Sequence, residues 1–417
     1  MALTERNIHI LKGLRDLVGS DYSRLASISD ALDKFFSKYG CSSIDTPLLE
    51  NTELFIRKSG GAMTSRLYTF TDPGGQKVSL RPEFTSSVIR HFLDNKNSIN
   101  LPVRYQYAGP VFRYEAATPG NYRQFNQVGA ELVGSIKDEA SDDAELIGLA
   151  IGGLKEINID RYMLRIGHLE ILNELLNTYP LSEAAKLFIV GNVKEIKTDP
   201  SVVDNIKKRA EIMGLLRKDS ASNELYDSED SRDEPTYEYI LNILKSSMPK
   251  SLGQRTREQI LTRLMRKTSG GDNPKDFEDA VTLIREVCRL EGIPKIICEK
   301  LRNIQLERGI TTGTLDNICT TLEILNRQGI PSEQIILDFG LVRDIAYYTG
   351  VIFELNCLAK EGHVLIGGGG RYNGLVKALG NQTDIPALGF AYNLDRMLGV
   401  INTPNAAVIE SESGNDV

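Results

Sequence analysis

Polar side chains that could bind a small ligand recur along two predicted strands of the segment GPVFRYEAATPGNYRQFNQVGAELVG, residues 109–134, which a Pro-Gly turn would join. Because successive side chains of a strand point to opposite faces, Gln127, Gly129 and Glu131 share one face of the second strand. Arg113 adds a cation from the first strand, and the glycine lets a ligand approach the backbone closely. This face is therefore either the floor of a polar ligand site or an ordinary solvated hairpin face.

A second group of candidates lies in the segments LVRDIAYYTG and QKVSLRPEFTSSVIRHF. Arg343 could hold a carboxylate, and Tyr347 and Tyr348 could contact an imidazole or another aromatic edge. Glu83 follows Pro82 at the predicted start of a helix, where the helix dipole also favours a carboxylate. Each has a structural alternative, since tyrosine pairs are common in cores and Glu83 is also explained as a helix-start carboxylate.

A nucleotide would have to be held by arginines. The sequence contains neither GxxxxGK[ST] nor a strand-turn-helix GxGxxG. Arg113 and Arg396, the latter in GFAYNLDRM, are candidates because a guanidinium fork matches phosphate geometry and stays charged. The four glycines of IGGGGRYNGLV are predicted to lie between a strand and a helix, where they form either a backbone cradle for a ligand or a flexible turn.

The composition restricts the classes of function. The 417 residues are 41% hydrophobic and carry a net charge of -7, which predicts a soluble globular protein of two or more domains and argues against indiscriminate polyanion binding. The five cysteines and four histidines follow no zinc or disulfide pattern, so no metal is expected from protein ligands alone. Without an apolar leader or a membrane-length apolar run, a cytoplasmic location with no membrane contact is expected.

The candidates lie on two stretches of mixed helices and strands, separated by a helical one. The segment SRLASISDALDKFFSKYG has the apolar spacing of an amphipathic helix that ends at Gly40. From about residue 170 to residue 331 the pattern is mainly helical, interrupted by acidic and turn-rich segments. Strands return from IILDFGLVRDIAYYTGVIFEL to LGFAYNLDRMLGVI, and the acidic end is predicted to be disordered. We therefore predict a domain that is interrupted by an insertion.

Together these segments resemble the class II aminoacyl-tRNA synthetase core, specifically the histidyl-tRNA synthetase lineage, over residues 10–170 and 333–402. GPVFRYE with GNYRQFNQVGAELVG is similar to that family's second class motif, PALGFAYNLDRM to its third, and LVRDIAYYTGVIFE to its histidine-recognition segment. The resemblance implies an α+β fold with a class II synthetase-like antiparallel sheet flanked by helices. It implies a core in residues 1–170 and 333–402, a mainly helical insertion at 171–332 and an acidic tail at 403–417.

The resemblance also implies ligands and the residues that hold them. Histidine would be the amino acid, and ATP with magnesium would bind if the adenylation site is active; no other cofactor is implied. A homodimer would form through the segment near residues 40–55, which is predicted to be a strand. Arg113 and Arg396 would contact the triphosphate, and Arg343 would lie near the amino-acid carboxylate. The implied histidine-binding residues are Glu83, Gln127, Glu131, Arg343, Tyr347 and Tyr348.

The family contains true synthetases and regulatory subunits of ATP phosphoribosyltransferase, and three features favour the second class. After Val400 the sequence has only a short acidic tail where a bacterial-type synthetase continues into an anticodon-binding domain. The segment YMLRIGHLEIL, with His168, is similar to its counterpart in the regulatory subunits. Asp344 and Ala346 stand where synthetases have Gly and Asp, and Phe84 replaces a Gly beside the pocket glutamate, which should reshape an amino-acid pocket.

These features predict a non-catalytic regulatory subunit for the first step of histidine biosynthesis and for its feedback control by histidine. It would be a homodimer within a hetero-oligomer with the short-form catalytic subunit, and tRNA would not be a partner. The alternative is a histidyl-tRNA synthetase-like enzyme that forms histidyl-adenylate, because the adenylation residues are all present. A scaffold with an inactive pocket is a third interpretation.

Overall fold

The computed structural model describes residues 8–401 except 58–62, 117, 119, 136, 199–201, 218–250, 253–254, 257–270, 311–312, 344–346 and 360–361. The described helices are α1 (Gly19–Lys38), α2 (Thr52–Ile56), α3 (Thr85–Asn95), α4 (Glu139–Glu156), α5 (Leu169–Leu176), α6 (Glu183–Gly191), α7 (Val193–Thr198), α8 (Val202–Ile212), α9 (Pro274–Cys288), α10 (Pro294–Glu307), α11 (Thr314–Arg327), α12 (Gly374–Ala378) and α13 (Leu394–Ile401). The described strands are β1 (Ser42–Ser43), β2 (Leu49–Asn51), β3 (Thr69–Thr71), β4 (Lys77–Leu80), β5 (Val103–Phe112), β6 (Gln124–Val133), β7 (Tyr162–His168), β8 (Ser251–Leu252), β9 (Arg255–Thr256), β10 (Glu291–Gly292), β11 (Ile335–Asp338), β12 (Val351–Ala359), β13 (Gly362–Arg371) and β14 (Ala387–Asn393).

Nine of the described strands form one sheet in the order β1-β5-β6-β14-β13-β12-β7-β11-β10. Its neighbouring strands are antiparallel except for β1 with β5 and β11 with β7. Strands β2, β4 and β3 form a smaller antiparallel sheet. The expected α+β fold with an antiparallel sheet flanked by helices is confirmed. The segment near residues 40–55 was expected to be one strand, but it contributes β1 and β2 to two different sheets.

Helix α1 covers one face of the large sheet with the stripe that its sequence predicts. Ile28, Leu32, Phe35 and Phe36 are buried, because the i, i+4, i+7 spacing places them on one side of the helix. The helix ends just before Gly40, whose φ of 77° is a conformation that glycine adopts without strain. The sheet residues in the same core cluster include Val128, Ala130, Leu132, Phe390 and Tyr392.

Strands β5 and β6 form the predicted hairpin and pair continuously along their lengths. The apolar face of β6 joins the core cluster, while Gln127 and Glu131 lie on the opposite face. The connection differs from the prediction, because β5 ends at Phe112 and Arg113 follows the strand instead of lying within it. The face composition of the hairpin was therefore predictable, whereas the position of its turn was not.

Strand β13 contains the glycine run that was expected to be a turn or a cradle between a strand and a helix. That expectation is wrong, because residues 367–370 lie inside the strand and pair with β12 on one side and β14 on the other. A side chain at Gly367 would lie 2.9 Å from the carbonyl oxygen of Ala391. The glycines are buried and bring no side chains to this part of the sheet, so neighbouring groups approach their backbone closely.

Helices α5 to α11 account for most of the described chain between β7 and β11, as the helical pattern predicts. Their buried residues belong to the same core cluster as the sheet; examples are Leu172, Ile189, Phe277 and Leu301. The division at residues 170 and 332 stays a prediction, and the acidic tail at 403–417 lies outside the described residues. None of the helices that the structure describes is both long and apolar enough to cross a bilayer.

Candidate active site

A pocket lies over the glycine-rich part of the large sheet. Its floor includes Gly367 and Gly368 of β13 and Gly389 of β14. Residues far apart in the sequence reach it because β6, β14 and β13 are neighbours in the sheet. The predicted site residues that line it are Glu83, Arg113, Gln127, Arg343, Tyr347, Tyr348 and Arg396.

Glu83 lies at the edge of the pocket, just before helix α3. Both of its carboxylate oxygens accept from the backbone N–H of Ser86 at 3.2 Å. The residue therefore accepts from the first turn of the helix, as the helix-start interpretation expects, and it also lines the pocket; that it binds a ligand stays a prediction. Burial raises the pKa of the Glu83 carboxyl, and the hydrogen bonds from Ser86 and the charge of Arg113 oppose that shift.

Arg113 lies directly after the last residue of strand β5. Its Nε donates to the carbonyl oxygen of Pro82 at 2.9 Å, the one hydrogen bond of its side chain among the described residues, and its backbone N–H donates to the carbonyl oxygen of Arg123 at 2.8 Å. Its guanidinium also lies 5.2 Å from the ring centre of Phe125. Burial lowers the pKa of Arg113, while Glu115 and Glu83 oppose the shift. A guanidinium stays charged in proteins, so Arg113 presents a cation with two terminal nitrogens to the pocket.

The side-chain oxygen of Gln127 accepts no hydrogen bond from the described residues. The residue is 7% exposed, and its buried Oε1 has no hydrogen-bond partner in the described structure. An unpaired buried oxygen is costly, and native proteins keep few of them. Since Gln127 lines the pocket, a donor group in the pocket would pair with this oxygen.

Glu131 lies beneath the pocket instead of lining it. Its carboxylate accepts from Thr85 Oγ1 at 2.6 Å, from Tyr107 Oη at 2.9 Å and from the Tyr372 hydroxyl. The residue is fully buried, and a side chain at Gly389 would overlap its carboxylate. Glu131 therefore supports the floor from below. This differs from the expectation that it surrounds the amino acid directly.

Burial raises the pKa of Glu131 to about 8, against the opposing effect of the three hydroxyls. The native state then holds a proton that the unfolded chain has lost between about pH 4.5 and 8. Because the native state binds more protons in this window, the free energy of unfolding should fall as pH rises, by up to about 1.4 kcal/mol per pH unit.

Glu131→Gln should remove this part of the pH dependence. Urea denaturation at intervals from pH 5 to pH 8.5 measures it, with the wild type as reference. Burial also raises the pKa of Asp143 to about 7. Its contribution to the pH dependence of the free energy of unfolding has the same sign and is present in both proteins, so it cancels in the comparison. Parallel stability curves for the two proteins would contradict the shifted pKa of Glu131.

One side of the pocket is lined by Arg343, Tyr347 and Tyr348. Arg343 Nη1 donates to the carbonyl oxygen of Phe353 at 2.9 Å, and its guanidinium lies 5.9 Å from the ring centre of Tyr348. The two tyrosine rings are 5.0 Å apart, and burial raises the pKa of both phenols. The two tyrosines therefore pack against each other and also line the pocket, so the core and the site interpretations do not exclude each other. Asp344 and Ala346 lie outside the described residues.

Arg396 closes the other end of the pocket at the start of helix α13. It donates from Nη1 to the Leu365 carbonyl oxygen at 3.0 Å and from Nη2 to Asn121 Oδ1 at 3.1 Å. The preceding Asp395 accepts from Arg15 Nη2 at 2.6 Å and from the backbone N–H of Asn126 at 2.7 Å. These bonds tie the helix to the hairpin, so Arg396 is held at a fixed distance from β6.

Further polar residues that were not among the predicted site residues also line the pocket. They are Arg66, Thr85, Tyr107, Glu115, Asn121, Lys194, Glu354 and Asn393. Asn121 lies in the quoted hairpin segment, so its position beside the predicted turn was an available signal. Lys194 comes from the short helix α7 in the helical region, and no sequence pattern links that region to the hairpin.

Two of the features that favoured a regulatory subunit lie away from the pocket. The ring of Phe84 stacks on Tyr107 at 4.2 Å and lies under the guanidinium of Arg81 at 3.9 Å, so it fills the core below the floor. His168 is buried beside Asp143, and burial lowers its pKa to about 3. Asp143 is paired with Arg371 at 2.6 Å. Neither Phe84 nor His168 lines the pocket directly, but Phe84 packs against Tyr107, which does, so its effect on the pocket stays a prediction.

Comparison with known proteins places these residues in a family. The family model described as histidyl-tRNA synthetase matches residues 13–226 and 249–397. A histidine–tRNA ligase of Methanococcus maripaludis strain C6 is 32% identical over 387 residues, which is 93% of this chain and 74% of that protein. A histidine–tRNA ligase of Sulfurisphaera tokodaii is 29% identical over 400 residues, or 95% of this chain and 75% of that protein.

Solved structures show the same fold at lower identity. The ATP phosphoribosyltransferase regulatory subunit/histidyl-tRNA synthetase of Bacillus halodurans C superimposes with a TM-score of 0.64 at 22% identity, covering 96% of this chain and 84% of that one. The apo histidyl-tRNA synthetase of S. aureus gives a TM-score of 0.56 at 21% identity, covering 97% and 76%. At such identities these two structures establish the fold.

Proposed function

The chain belongs to the histidyl-tRNA synthetase family, and from that premise we propose that its pocket binds histidine and ATP and forms histidyl-adenylate. The observation that carries the proposal is the convergence of Arg113, Arg343 and Arg396 on one pocket. Glu83 and Gln127 line the same pocket and offer carboxylate and amide acceptors. Cations suited to a triphosphate and a carboxylate thus lie within reach of acceptors suited to an ammonium or an imidazole N–H.

The proposed reaction is an in-line displacement at phosphorus. A carboxylate oxygen of histidine attacks the α-phosphorus of ATP, the bond from that phosphorus to the bridging oxygen of the β-phosphate breaks, and pyrophosphate leaves. Magnesium enters with the nucleotide as part of the substrate. The protein's task is to hold the two reactants in line and to stabilise charge on the phosphoryl oxygens, because the step needs no proton transfer.

The arginines divide this task by position. Arg113 emerges next to Glu83, so it would bridge the carboxylate of histidine and the α-phosphate at the reacting centre. Arg396 lies at the far end of the floor and is braced by Leu365 and Asn121, so it would bind the leaving pyrophosphate. Arg343 would neutralise the amino-acid carboxylate from its own side of the pocket. Each is braced by at least one described hydrogen bond, which lowers the entropy cost of ordering it.

Gln127→Leu tests the histidine pocket with little disturbance of the fold. Since Oε1 of Gln127 is unpaired, its removal should leave the free energy of unfolding unchanged or slightly higher. The loss of one hydrogen bond to a charged ligand should weaken histidine binding by about tenfold in calorimetry. Gln124→Leu, at an exposed position of the same strand, is the matched control. Equal histidine affinity in both variants would remove Gln127 from the site.

Histidine-dependent exchange of labelled pyrophosphate into ATP tests the proposal directly, because it needs neither tRNA nor a partner protein. We expect exchange with histidine and none with other amino acids. The absence of exchange in protein shown to be folded would overturn the proposal.

A regulatory subunit of ATP phosphoribosyltransferase is the second candidate. It is favoured by two replacements in the histidine-recognition segment, where Ala346 removes the carboxylate of the synthetase Asp and Asp344 places one at the Gly position, and by the two roles in the name of the Bacillus halodurans structure. The same pocket would then sense histidine without turnover, through different affinities for two states of a complex.

The second candidate predicts that addition of this chain raises the rate of phosphoribosyl-ATP synthesis by a cognate short-form catalytic subunit. It also predicts that histidine lowers the rate of the combined proteins. No co-elution on a sizing column and no change in rate would rule it out. Because this assay does not depend on adenylation, the two candidates are tested independently.

A further inference from the structure

Helices α10 and α11 bring two cysteines together outside the pocket. Cys298 lies on α10 and Cys319 on α11, and their thiols hydrogen-bond to each other. Cys298 is buried, whereas Cys319 is partly exposed. The pair is not evident from the sequence, because the two cysteines are separated by 20 residues and form no C-x-x-C motif. Two thiols in contact, one of them accessible to solvent, have the arrangement from which a disulfide can form.

A cation stands beside the accessible thiol. Arg302, one turn after Cys298 on α10, hydrogen-bonds to Cys319 and forms an ion pair with Asp316 of α11 at 2.9 Å. The hydrogen bond from Cys298 and the neighbouring Arg302 lower the pKa of Cys319, against the effects of burial and of Asp316. The same hydrogen bond and burial raise the pKa of Cys298. The thiolate is the reactive form, so reactivity concentrates on Cys319.

The remaining cysteines contrast with this pair. Cys41, Cys288 and Cys357 are buried, and burial raises the pKa of each thiol. Buried thiols of this kind behave as small apolar side chains and are chemically inert. Selective chemistry at one pair is therefore expected.

We propose that Cys298 and Cys319 are a redox-active pair that closes to a reversible disulfide between α10 and α11. With a hydroperoxide as oxidant, the Cys319 sulfur attacks the distal peroxide oxygen, the O–O bond breaks, and a sulfenic acid and an alcohol or water are produced. The Cys298 sulfur then attacks the sulfenic sulfur, the S–S bond forms, and the hydroxyl leaves with the Cys298 proton as water. A dithiol or two equivalents of a monothiol reverse the step.

The disulfide would act on a helix that connects to the pocket. The hydroxyl of Thr321 on α11 donates to Asn317 within its own helix at 2.9 Å and also lies 3.4 Å from the carbonyl oxygen of Ala140 on α4, so the two helices are in direct contact. Asp143, one turn further along α4, pairs with Arg371 of β13. The next residue, Tyr372, donates to Glu131 below the pocket floor. A cross-link that fixes α11 therefore restrains the helix that holds β13 in place.

Peptide mapping of the full chain after mild hydrogen peroxide treatment tests the proposal. We expect the loss of two of the five thiols and one cross-linked peptide pair containing Cys298 and Cys319, which reducing agent separates. In Cys298→Ser the cross-link should vanish and a sulfenic-acid probe should label Cys319. Oxidation that labels Cys319 without a cross-link in the wild type, or that spares both thiols, would overturn the proposal.

The role of Arg302 is measured by the rate at which iodoacetamide alkylates Cys319 as a function of pH. Arg302→Gln should shift the midpoint of the rate profile upward and slow alkylation at pH 7 several-fold, since Arg302 stabilises the thiolate. Arg308→Gln is the matched control, because Arg308 ends the same helix and forms an ion pair with Glu286 at 3.0 Å, away from the thiols. Equal profiles for the two variants would contradict the role of Arg302 in activating Cys319.

Discussion

Arg113→Ala is expected to reduce histidine-dependent pyrophosphate exchange by about 10²–10³-fold, the usual cost of losing a group that stabilises transition-state charge. The effect should be chemical and not structural. The one hydrogen bond that the Arg113 side chain makes among the described residues is from Nε to Pro82. Its removal leaves one backbone carbonyl oxygen without that donor, while the backbone bond from Arg113 to Arg123 remains. Exchange kinetics and urea denaturation of the same preparation separate the two effects, and the denaturation midpoint should move little.

Two companion variants sharpen this result. Arg113→Lys keeps the charge but loses the planar fork, so its activity should lie between those of the wild type and the alanine variant. Arg57→Ala removes an exposed arginine whose partner is Glu53 at 2.8 Å, so exchange should be unchanged. Undiminished exchange in Arg113→Ala would show that adenylation, if present, does not use this pocket.

Gly389→Ala should damage both the fold and the pocket, although it adds a single methyl group. The new Cβ would overlap the carboxylate of Glu131 and lie 2.9 Å from the carbonyl oxygen of Ala130. If the Glu131 side chain turned away, it would lose its hydrogen bonds with the hydroxyl groups of Thr85, Tyr107 and Tyr372 beneath the floor. We expect the free energy of unfolding to fall by about 3 kcal/mol, at the upper end of the usual cost of overpacking, with loss of histidine binding.

Gly399→Ala is the matched control for this change. Gly399 lies in α13, and no atom would lie within 4 Å of a Cβ there. Alanine is favoured over glycine in a helix by up to about 1 kcal/mol, so this variant should be as stable as the wild type or more so. Calorimetric unfolding of both variants and histidine titration of the folded protein measure the difference. Similar stabilities would mean that the floor adjusts more easily than its packing indicates.

Much of the fold was predictable because its signals are local. The stripe of α1, the alternation of β6 and the helical region all follow from the spacing of apolar residues. The pocket residues were predictable from their chemical types, since a chain without a phosphate loop must use arginines for a nucleotide. The resemblance to a family then supplied the long-range arrangement that local patterns do not contain.

The differences from the predictions arise from contacts between elements of the folded sheet. A run of glycines is flexible by itself, and pairing with β12 and β14 is what makes it a strand. Glu131 shares a face with Gln127 in the sequence pattern, yet Tyr107 and Tyr372 cover its carboxylate and place it under the floor. Phe84 was interpreted through its neighbour Glu83, and its ring stacks on Tyr107 in the core. The spacing of apolar residues within one segment shows none of these contacts.

The order of strands in the large sheet has a consequence for synthesis on the ribosome. Strand β6 pairs with β14, so that Val128 lies opposite Tyr392. The β5–β6 hairpin leaves the ribosome long before β14 does, and until then one edge of β6 offers unpaired backbone groups to other chains. Strand pairings over such sequence distances form slowly, so the pocket assembles late in the synthesis and folding of the chain. Premature termination or proteolytic cleavage before β14 would leave a hairpin prone to aggregation, which chaperones would have to protect.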